Sequence, residues 1–286
     1  MNSHWRILGI DLDGTVIGWD RTINPADLDA LHRAREAGLH VAICTGRNAR
    51  ESSRVIKALD LAGLGVFVNG AMVSDMATAT AVDSQIIDDA TVEEAINFFG
   101  KRGHGVLVLA DDRVTRLPTY FMTDHGPAHR ATTDWLQVNE VRSSTVRELP
   151  AEARGRVVRV GVVVDVPGAE ALHGDLVREF AGRAETHSIY SPHYHVQIVE
   201  FFRQGANKWS GIEHMAGVMG VRPDQVIAIG DDVNDLAMLR GARLSFAMGD
   251  AKAWIRAQAK RVTGSHKECG VAQVIELLLA GELEPG

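Results

Sequence analysis

The chain has 286 residues, of which 45% are hydrophobic and 23% are charged, and its formal net charge is −7. This length allows one large or two ordinary domains, and the composition is typical of a soluble globular protein with enough apolar residues for a core. The negative charge argues against nucleic acid as the main partner, and the lack of an apolar run of about 18 residues argues against a membrane span.

Cysteine content and the N-terminal residues indicate a cytoplasmic protein. The two cysteines, Cys44 and Cys269, lie far apart, and there is no CxxC pair or Cys/His cluster that would support a zinc site. So few cysteines are typical of a reducing compartment. The N-terminus leads almost directly into a strand-like run and lacks the charged-then-apolar layout of a signal peptide.

The first 70 residues predict strands that alternate with helices. Apolar runs at 6–10, 39–44 and 65–68 have the length and composition of buried strands. Helices are predicted between them at 25–37, where Asn24 would be the N-cap and Pro25 the first helical residue, and at 49–59. This order is typical of a parallel sheet with helices on both faces.

The middle of the chain follows another pattern. A capping box that begins at Thr91 opens the first of its predicted elements. These are a helix, two strands and a second helix, at 91–101, 105–110, 156–164 and 167–181. The stretch 111–150 has no regular pattern. We predict an α+β domain at 84–190, inserted into a core formed by residues 1–83 and 191–286.

From about residue 195 the alternating pattern returns. It predicts strands at 197–199, 225–229 and 244–248, and helices at 208–219 and 271–279, with a short helix to about residue 240 after the segment 230–232. A pattern that stops and resumes indicates that one domain is inserted into another. The predicted fold class is therefore α/β, with a doubly wound, Rossmann-like parallel-sheet core and an inserted α+β domain.

Polar side chains lie at or beside the carboxyl ends of the predicted strands, where ligands bind in open α/β sheets. These residues are Asp11, Asp13, Thr45, Lys208, Asp231, Asn234 and Asp235. Carboxylates, a hydroxyl, an amide and one cation suit a hard metal ion together with an oxyanion. Magnesium binds carboxylates and keeps positions for water or substrate oxygens, and a phosphate would supply such oxygens.

Each motif alone also has an ordinary structural explanation. Asp-x-Asp pairs such as Asp11 and Asp13 are common in turns, Thr45-Gly46 could be a plain turn, and Lys208 could be a solvated surface residue. The segment 230–235 could be a calcium-binding or capping turn. However, two carboxylates beside an apolar strand end repel each other unless a cation or proton is present. Four motifs in this order favour a functional site.

The four motifs, in their order, resemble those of the haloacid dehalogenase (HAD) superfamily. The similarity is greatest to its Cof-type sugar-phosphatase group, which has a large type IIB cap between the second and third motifs. It covers residues 6–75 and about 195–280, and includes Asn69-Gly70-Ala71. Two positions depart from the usual pattern. Trp209 follows the motif lysine where a small residue is usual, and Asp250 stands where Asn is frequent.

This resemblance implies a magnesium-dependent phosphatase with an aspartyl-phosphate intermediate. Asp11 would be the nucleophile, and Asp13 would be the general acid and then the general base, a role that requires a raised pKa. Lys208 would offset the negative charge between nucleophile and phosphate. The implied phosphate-binding residues are Leu12, Thr45, Gly46, Lys208 and Asn234. The implied Mg²⁺ ligands are Asp11, Asp13 through its backbone carbonyl, Asp231 and Asp235, with Asp232 as a further candidate.

The family implies a small phosphate monoester as substrate, first of all a sugar phosphate, with nucleotides and cofactor phosphates such as pyridoxal phosphate as alternatives. A phosphomutase of the same superfamily and a non-catalytic phosphate- or metal-binding module are the rival interpretations. No nucleic-acid or membrane partner is expected. The sequence is compatible with both a monomer and a homodimer.

Overall fold

The computed structural model describes residues 4–111, 113, 119–138, 141 and 143–283. The chain forms two compact units, one made of residues up to Asp83 and from Asn207 onward, the other of Ser84–Ala206. Within these described ranges, no helix is both long and apolar enough to cross a bilayer.

The first unit begins with strands and helices in the order β1 (Ile7–Ile10), α1 (Pro25–Glu36), β2 (His40–Ile43), α2 (Ala49–Ala58), β3 (Leu64–Phe67), β4 (Met72–Asp75) and β5 (Thr80–Ser84). Helices α1 and α2 begin at the predicted residues, Pro25 and Ala49. The Asn24 side chain accepts a hydrogen bond from the Ala26 N–H at the start of α1. Asn48 and Glu51 form a capping box at the start of α2.

The second unit contains the elements α3 (Asp89–Gly100), β6 (Leu107–Ala110), β7 (Tyr120–Thr123), α4 (Arg130–Val138), β8 (Ser143–Val146), β9 (Val157–Asp165), α5 (Val166–Glu179), β10 (Ala184–Ser191) and β11 (Val196–Arg203). In the part that the structure describes, its strands form a six-stranded sheet in the order β10-β11-β9-β6-β7-β8. The core contains side chains from α3, α5 and this sheet, among them Phe99, Leu176 and Phe201.

The chain then completes the first unit with α6 (Lys208–Met219), β12 (Val226–Gly230), α7 (Leu236–Gly241), β13 (Leu244–Ala247), α8 (Ala253–Arg256), β14 (Arg261–Val262) and α9 (Gly270–Leu279). Among the described residues, its main sheet is parallel and has the order β14-β13-β12-β1-β2. Every residue of β1 and β12 is buried, which indicates that both faces of the sheet are covered. The predicted α/β fold with a doubly wound parallel core is confirmed.

Strand β3 continues the edge of this sheet for a short distance. Cys44 and Val66 form a parallel bridge, and the Thr45 N–H donates to the Val66 carbonyl over 2.9 Å. The chain then turns back, because β3 pairs antiparallel with β4. The sequence interpretation did not contain β4 or β5, whose short segments have little hydrophobic periodicity.

Strand β11 lies in a different unit from the one that the sequence indicated. Residues 191–206 were assigned to the core, but β11 pairs antiparallel with both β9 and β10 in the sheet of the second unit. The chain re-enters the first unit only at Asn207. The sequence interpretation contained no strand at 184–191, so it missed the hairpin in which Ser191 pairs with Val196 and which places β11 beside β10.

Two further predictions within the second unit were wrong. The stretch 111–150, predicted to be irregular, contains β7, α4 and β8. The N-cap of α3 is Asp88 rather than Thr91, because the Asp88 side chain accepts the hydrogen bond from the Thr91 N–H.

Candidate active site

Asp11 directly follows β1, and its N–H donates to the Ile229 carbonyl of β12 over 3.0 Å. This bond fixes the residue at the carboxyl ends of the two central strands. Its side chain is buried. Burial raises the pKa of the Asp11 carboxyl to about 8; Lys208 opposes this increase, and the charges of Asp235 and Asp13 add to it.

Lys208 begins α6 and is completely buried. Asn207 caps this helix through a capping box with Ser210, which fixes the start of α6. The Lys208 Nζ donates to Asp11 Oδ1 and to Asp235 Oδ1, each over 2.6 Å. Burial disfavours the charged amine, but the two carboxylates outweigh it, so the pKa of Lys208 lies above its usual value. The alternative interpretation of Lys208 as a solvated surface residue is therefore wrong.

Asp235 closes the turn that follows β12. Its Oδ2 accepts hydrogen bonds from the backbone N–H groups of Asp231 and Asp232, over 2.9 and 3.0 Å. Its Oδ1 accepts from Lys208. The buried Asp235 carboxylate therefore stabilises the turn after β12 and also binds the Lys208 amine.

Asp231 contacts the loop after β1. Its Oδ1 accepts a hydrogen bond from Thr15 Oγ1 over 2.7 Å. Gly14 has a φ of 94°, and a Cβ at this position would overlap the Asp231 carboxylate, so the approach requires glycine. Burial raises the pKa of Asp231 well above its usual value, and the charges of Asp11 and Asp235 raise it further.

Asp11, Asp231 and Asp235 form a buried carboxylate cluster. Each offers one oxygen, and these oxygens lie within 4.8 Å of one another. When the three carboxylates are ionised, the cluster together with Lys208 has a net charge of −2, because three negative charges face one positive charge. All three donors are hard oxygen ligands, and a cation would relieve their repulsion, so the cluster can hold a metal ion.

Asp13 has a different partner from this cluster. Its Oδ2 accepts from Arg47 Nε over 2.8 Å, and its Oδ1 accepts from Arg47 Nη2. The Asp13 carboxylate is partly exposed. Arg47 is therefore the ion-pair partner of the residue predicted to be the general acid and base.

Apart from Lys208, which begins α6, the predicted phosphate-binding residues lie in three loops of the first unit. Thr45 is buried after β2, and its Oγ1 accepts from the Arg47 N–H over 3.2 Å. The Leu12 carbonyl accepts from the Ile17 N–H over 2.7 Å, which closes the loop after β1. Asn234 lies in the turn after β12, and its Nδ2 donates to Asn69 Oδ1 over 2.9 Å.

Direct contacts join Asp11, Lys208, Asp231 and Asp235, while Asn69 connects the neighbourhood of Gly46 with Asn234. A Cβ at Gly46 would lie 3.1 Å from Asn69 Oδ1. The sequence interpretation assigned no role to Thr15 or to Asn69. Thr15 directly follows the Asp11–Gly14 segment, and Asn69 begins the Asn69-Gly70-Ala71 segment that contributes to the family resemblance, but neither signal indicated a contact partner.

A family model described as haloacid dehalogenase-like hydrolase matches residues 8–275 of the chain. The chain belongs to the haloacid dehalogenase-like hydrolases. This confirms the resemblance based on the four motifs and the predicted enzyme class, a phosphatase of the HAD type.

Two relatives of this HAD hydrolase are similar to it over nearly their whole length. The chain is 28% identical to a 5-amino-6-(5-phospho-D-ribitylamino)uracil phosphatase of Bacillus subtilis, covering 94% of this chain and 96% of that protein. It is 27% identical to a pyridoxal phosphate phosphatase of Escherichia coli, covering 94% and 97%. The fold also matches a HAD/COF-like hydrolase from Plasmodium vivax, with a TM-score of 0.78 and 24% identity over 98% and 97% of the two chains.

Trp209 stands where a small residue is usual in this family, and its ring fits because residue 241, which it faces, is a glycine without a side chain. The ring is half-buried and packs against a cluster of the HAD core. A Cβ at Gly241, the last residue of α7, would overlap this ring. The larger residue after Lys208 is therefore accommodated by packing and leaves the contacts of the Lys208 amine in place.

Proposed function

We propose that this HAD hydrolase is a magnesium-dependent phosphatase that cleaves a small phosphate monoester, first of all a sugar phosphate, through an aspartyl-phosphate intermediate. The observation that supports this proposal most is the contact of Lys208 Nζ with Asp11 and Asp235, both at 2.6 Å. The fixed cation beside Asp11 would reduce the repulsion between a carboxylate nucleophile and a phosphate.

The chemistry divides between two aspartates. A carboxylate oxygen of Asp11 forms the bond to phosphorus as the bond to the leaving alcohol breaks. Asp13 donates a proton to the departing alkoxide and later removes one from the water that attacks the aspartyl-phosphate. Arg47 contacts both Asp13 oxygens and would hold the Asp13 side chain until substrate arrives.

The remaining residues would bind the metal and the phosphoryl oxygens. We assign the metal to the carboxylates of Asp11 and Asp231 with the Asp13 carbonyl, and place Asp235 behind them because both its oxygens already accept hydrogen bonds. Magnesium bound there would supply positive charge to the transferring group. The phosphate-binding residues would be Lys208, Thr45 and Asn234, with the N–H groups of Leu12 and Gly46.

The relatives support the proposed substrate class, because two of them are named for small phosphate esters, a phosphoribitylamino-uracil and pyridoxal phosphate. Both substrates are monoesters of small molecules, which is the class that we propose here. We place the reaction in the cytoplasm, because both cysteines are free thiols, as expected in a reducing compartment.

The test is phosphate release from a panel of sugar phosphates, nucleotides and cofactor phosphates, with and without Mg²⁺. We expect release by the wild type to require Mg²⁺ and to be lost in Asp11→Asn. Asp60→Asn is the matched control, since Asp60 is an exposed residue of the same unit and its amide variant should retain full activity.

Release that persists in Asp11→Asn would contradict the covalent mechanism. A folded, Mg²⁺-binding wild type that hydrolyses no ester would contradict the phosphatase proposal. Turnover that depends on a sugar bisphosphate activator would favour a mutase instead.

A further inference from the structure

The turn Val68–Gly70, which follows β3, contains a strained and buried residue. Asn69 is completely buried, and its φ of 53° and ψ of 33° place it in the left-handed region. Residues other than glycine rarely adopt this conformation, although asparagine tolerates it better than most. Such a conformation persists only where the surrounding structure holds it, and it occurs most often at functional sites.

Backbone hydrogen bonds fasten this turn to the loop after β2. The Val68 N–H donates to the Arg47 carbonyl over 2.9 Å, and the Asn69 N–H donates to the Thr45 carbonyl over 3.1 Å. The Asn69 amide also lies directly against Gly46. Backbone hydrogen bonds and packing therefore hold the turn against the loop that carries two of the proposed phosphate-binding residues, Thr45 and Gly46.

The Asn69 side chain reaches the turn after β12. Its Oδ1 accepts from Asn234 Nδ2 over 2.9 Å. Because an amide oxygen only accepts and an amide nitrogen only donates, this bond selects one of the two orientations of the Asn234 amide. One N–H of Asn234 goes to Asn69, and the same nitrogen carries a second N–H.

The next residue contacts the start of α6. A Cβ at Gly70 would overlap the carbonyl oxygen of Asn207, the residue before Lys208. The turn Val68–Gly70 therefore lies against three segments. The first carries Thr45 and Gly46, the second carries Asn234, and the third carries Lys208.

We infer that Asn69 is a positioning residue for phosphoryl binding, which acts by orienting the Asn234 amide so that its second N–H donates to a phosphoryl oxygen. This inference rests on the proposed function, which assigns Asn234 to the phosphate. Asn69 itself would not contact the phosphoryl group, and its effect would therefore pass through Asn234.

The test compares Asn69→Gly, Asn234→Ala and the double variant in the full-length protein. Glycine keeps the left-handed backbone conformation, so the substitution removes the side chain without adding strain. We expect the Kd for inorganic phosphate, measured by calorimetry with Mg²⁺, and the KM for the best ester to rise about tenfold in each single variant, as for one lost hydrogen bond. The kcat should change less than KM.

The double variant separates positioning from general support of the fold. If Asn69 acts through Asn234, the double variant should bind phosphate no more weakly than Asn234→Ala. Ala79→Gly is the matched control, since Ala79 also has a positive φ of 54° in the turn between β4 and β5, and it should leave phosphate affinity unchanged. Unfolding curves confirm that each variant is folded.

Unchanged phosphate affinity in Asn69→Gly, or losses that multiply in the double variant, would overturn the inference. A wild type that binds no phosphate would overturn it as well. A wild type that binds phosphate but hydrolyses no ester would contradict the proposed phosphatase activity. In that case, the phosphate affinities of the variants would still decide whether Asn69 positions Asn234.

Discussion

Specific hydrogen bonds hold each charged residue of the site. Asp235 is held by two backbone N–H groups and Lys208, and Asp231 by the Thr15 hydroxyl. Such partners matter because a buried charge is costly unless its remaining lone pairs and protons are satisfied. They also orient carboxylates for a metal, and residues behind metal ligands often determine metal affinity.

Thr15 gives the clearest prediction at the scale of the residue. Thr15→Val keeps the shape of the side chain but removes the donor to Asp231, so we expect Mg²⁺ affinity to fall by about 10- to 100-fold. Thr15→Ser keeps the hydroxyl and should remain near the wild type. The measurement is the rise of Tm with Mg²⁺ concentration, which reports binding to the folded state. Equal Mg²⁺ affinity in the Val and Ser variants would show that the hydroxyl is unimportant.

At the scale of the element, the position of α6 determines where the Lys208 amine lies. Asn207 caps the helix, and Gly70 packs against the Asn207 carbonyl. The next residue of the helix, Trp209, places its ring where a Cβ at Gly241 of α7 would otherwise lie. The large Trp209 side chain and the missing side chain at Gly241 are therefore complementary. The space left by the glycine explains how the tryptophan fits, and the tryptophan explains why a larger residue would not fit at position 241.

Gly241→Ala should therefore destabilise the protein by about 1–3 kcal/mol, because the added methyl group overlaps the Trp209 ring. Gly217→Ala is the matched control, since Gly217 is an exposed residue of α6 and a methyl group added there would meet nothing within 4 Å. It should stabilise by up to about 1 kcal/mol through helix propensity. The free energy of unfolding in urea measures both effects.

The same change in a Trp209→Ala background tests the cause. Without the ring, Gly241→Ala should no longer be destabilising, since the two positions are in contact and their effects are not additive. A loss of the same size in both backgrounds would contradict the explanation by overlap.

At the scale of the whole molecule, the chain divides into a parallel α/β unit and an inserted unit with its own core. The buried cluster of the second unit extends from Ile87 to Phe201 and includes side chains of α3, α5 and the sheet. In that sheet β11 lies between β9 and β10, so it pairs on both sides. The strand is therefore central to the second unit, although it immediately precedes the return to the first.

A fragment of residues 84–206 should consequently fold alone, because it contains a complete core and a domain-sized chain. The shorter fragment 84–190 lacks β11, which would leave β10 without a partner and expose the core, so it should not unfold cooperatively. Urea unfolding followed by circular dichroism measures the transitions of both fragments. A cooperative transition in 84–190 would contradict the central role of β11.

Much of the first unit could be predicted because its signals are local. Buried apolar runs, the cap at Asn24, and polar residues after each run are all visible in the sequence. The carboxyl ends of parallel strands meet at one edge, so predicting Asp11 and Asp231 as neighbours required only the fold class. In the second unit β7, α4 and β8 were missed, because short segments with weak periodicity depend on tertiary packing.

The sequence by itself therefore determined the α/β class and the family, and it identified the residues that we propose for the site. Hydrophobic period and capping depend on neighbouring residues, and the order of the motifs is read directly along the chain. The tertiary structure alone decided that Lys208 joins Asp11 to Asp235, that Arg47 pairs with Asp13, that Asn69 contacts Asn234 and that β11 pairs with β9. Each of these contacts joins residues far apart in the chain. Partner choice depends on which surfaces and hydrogen-bonding groups folding brings together, and no local pattern encodes it.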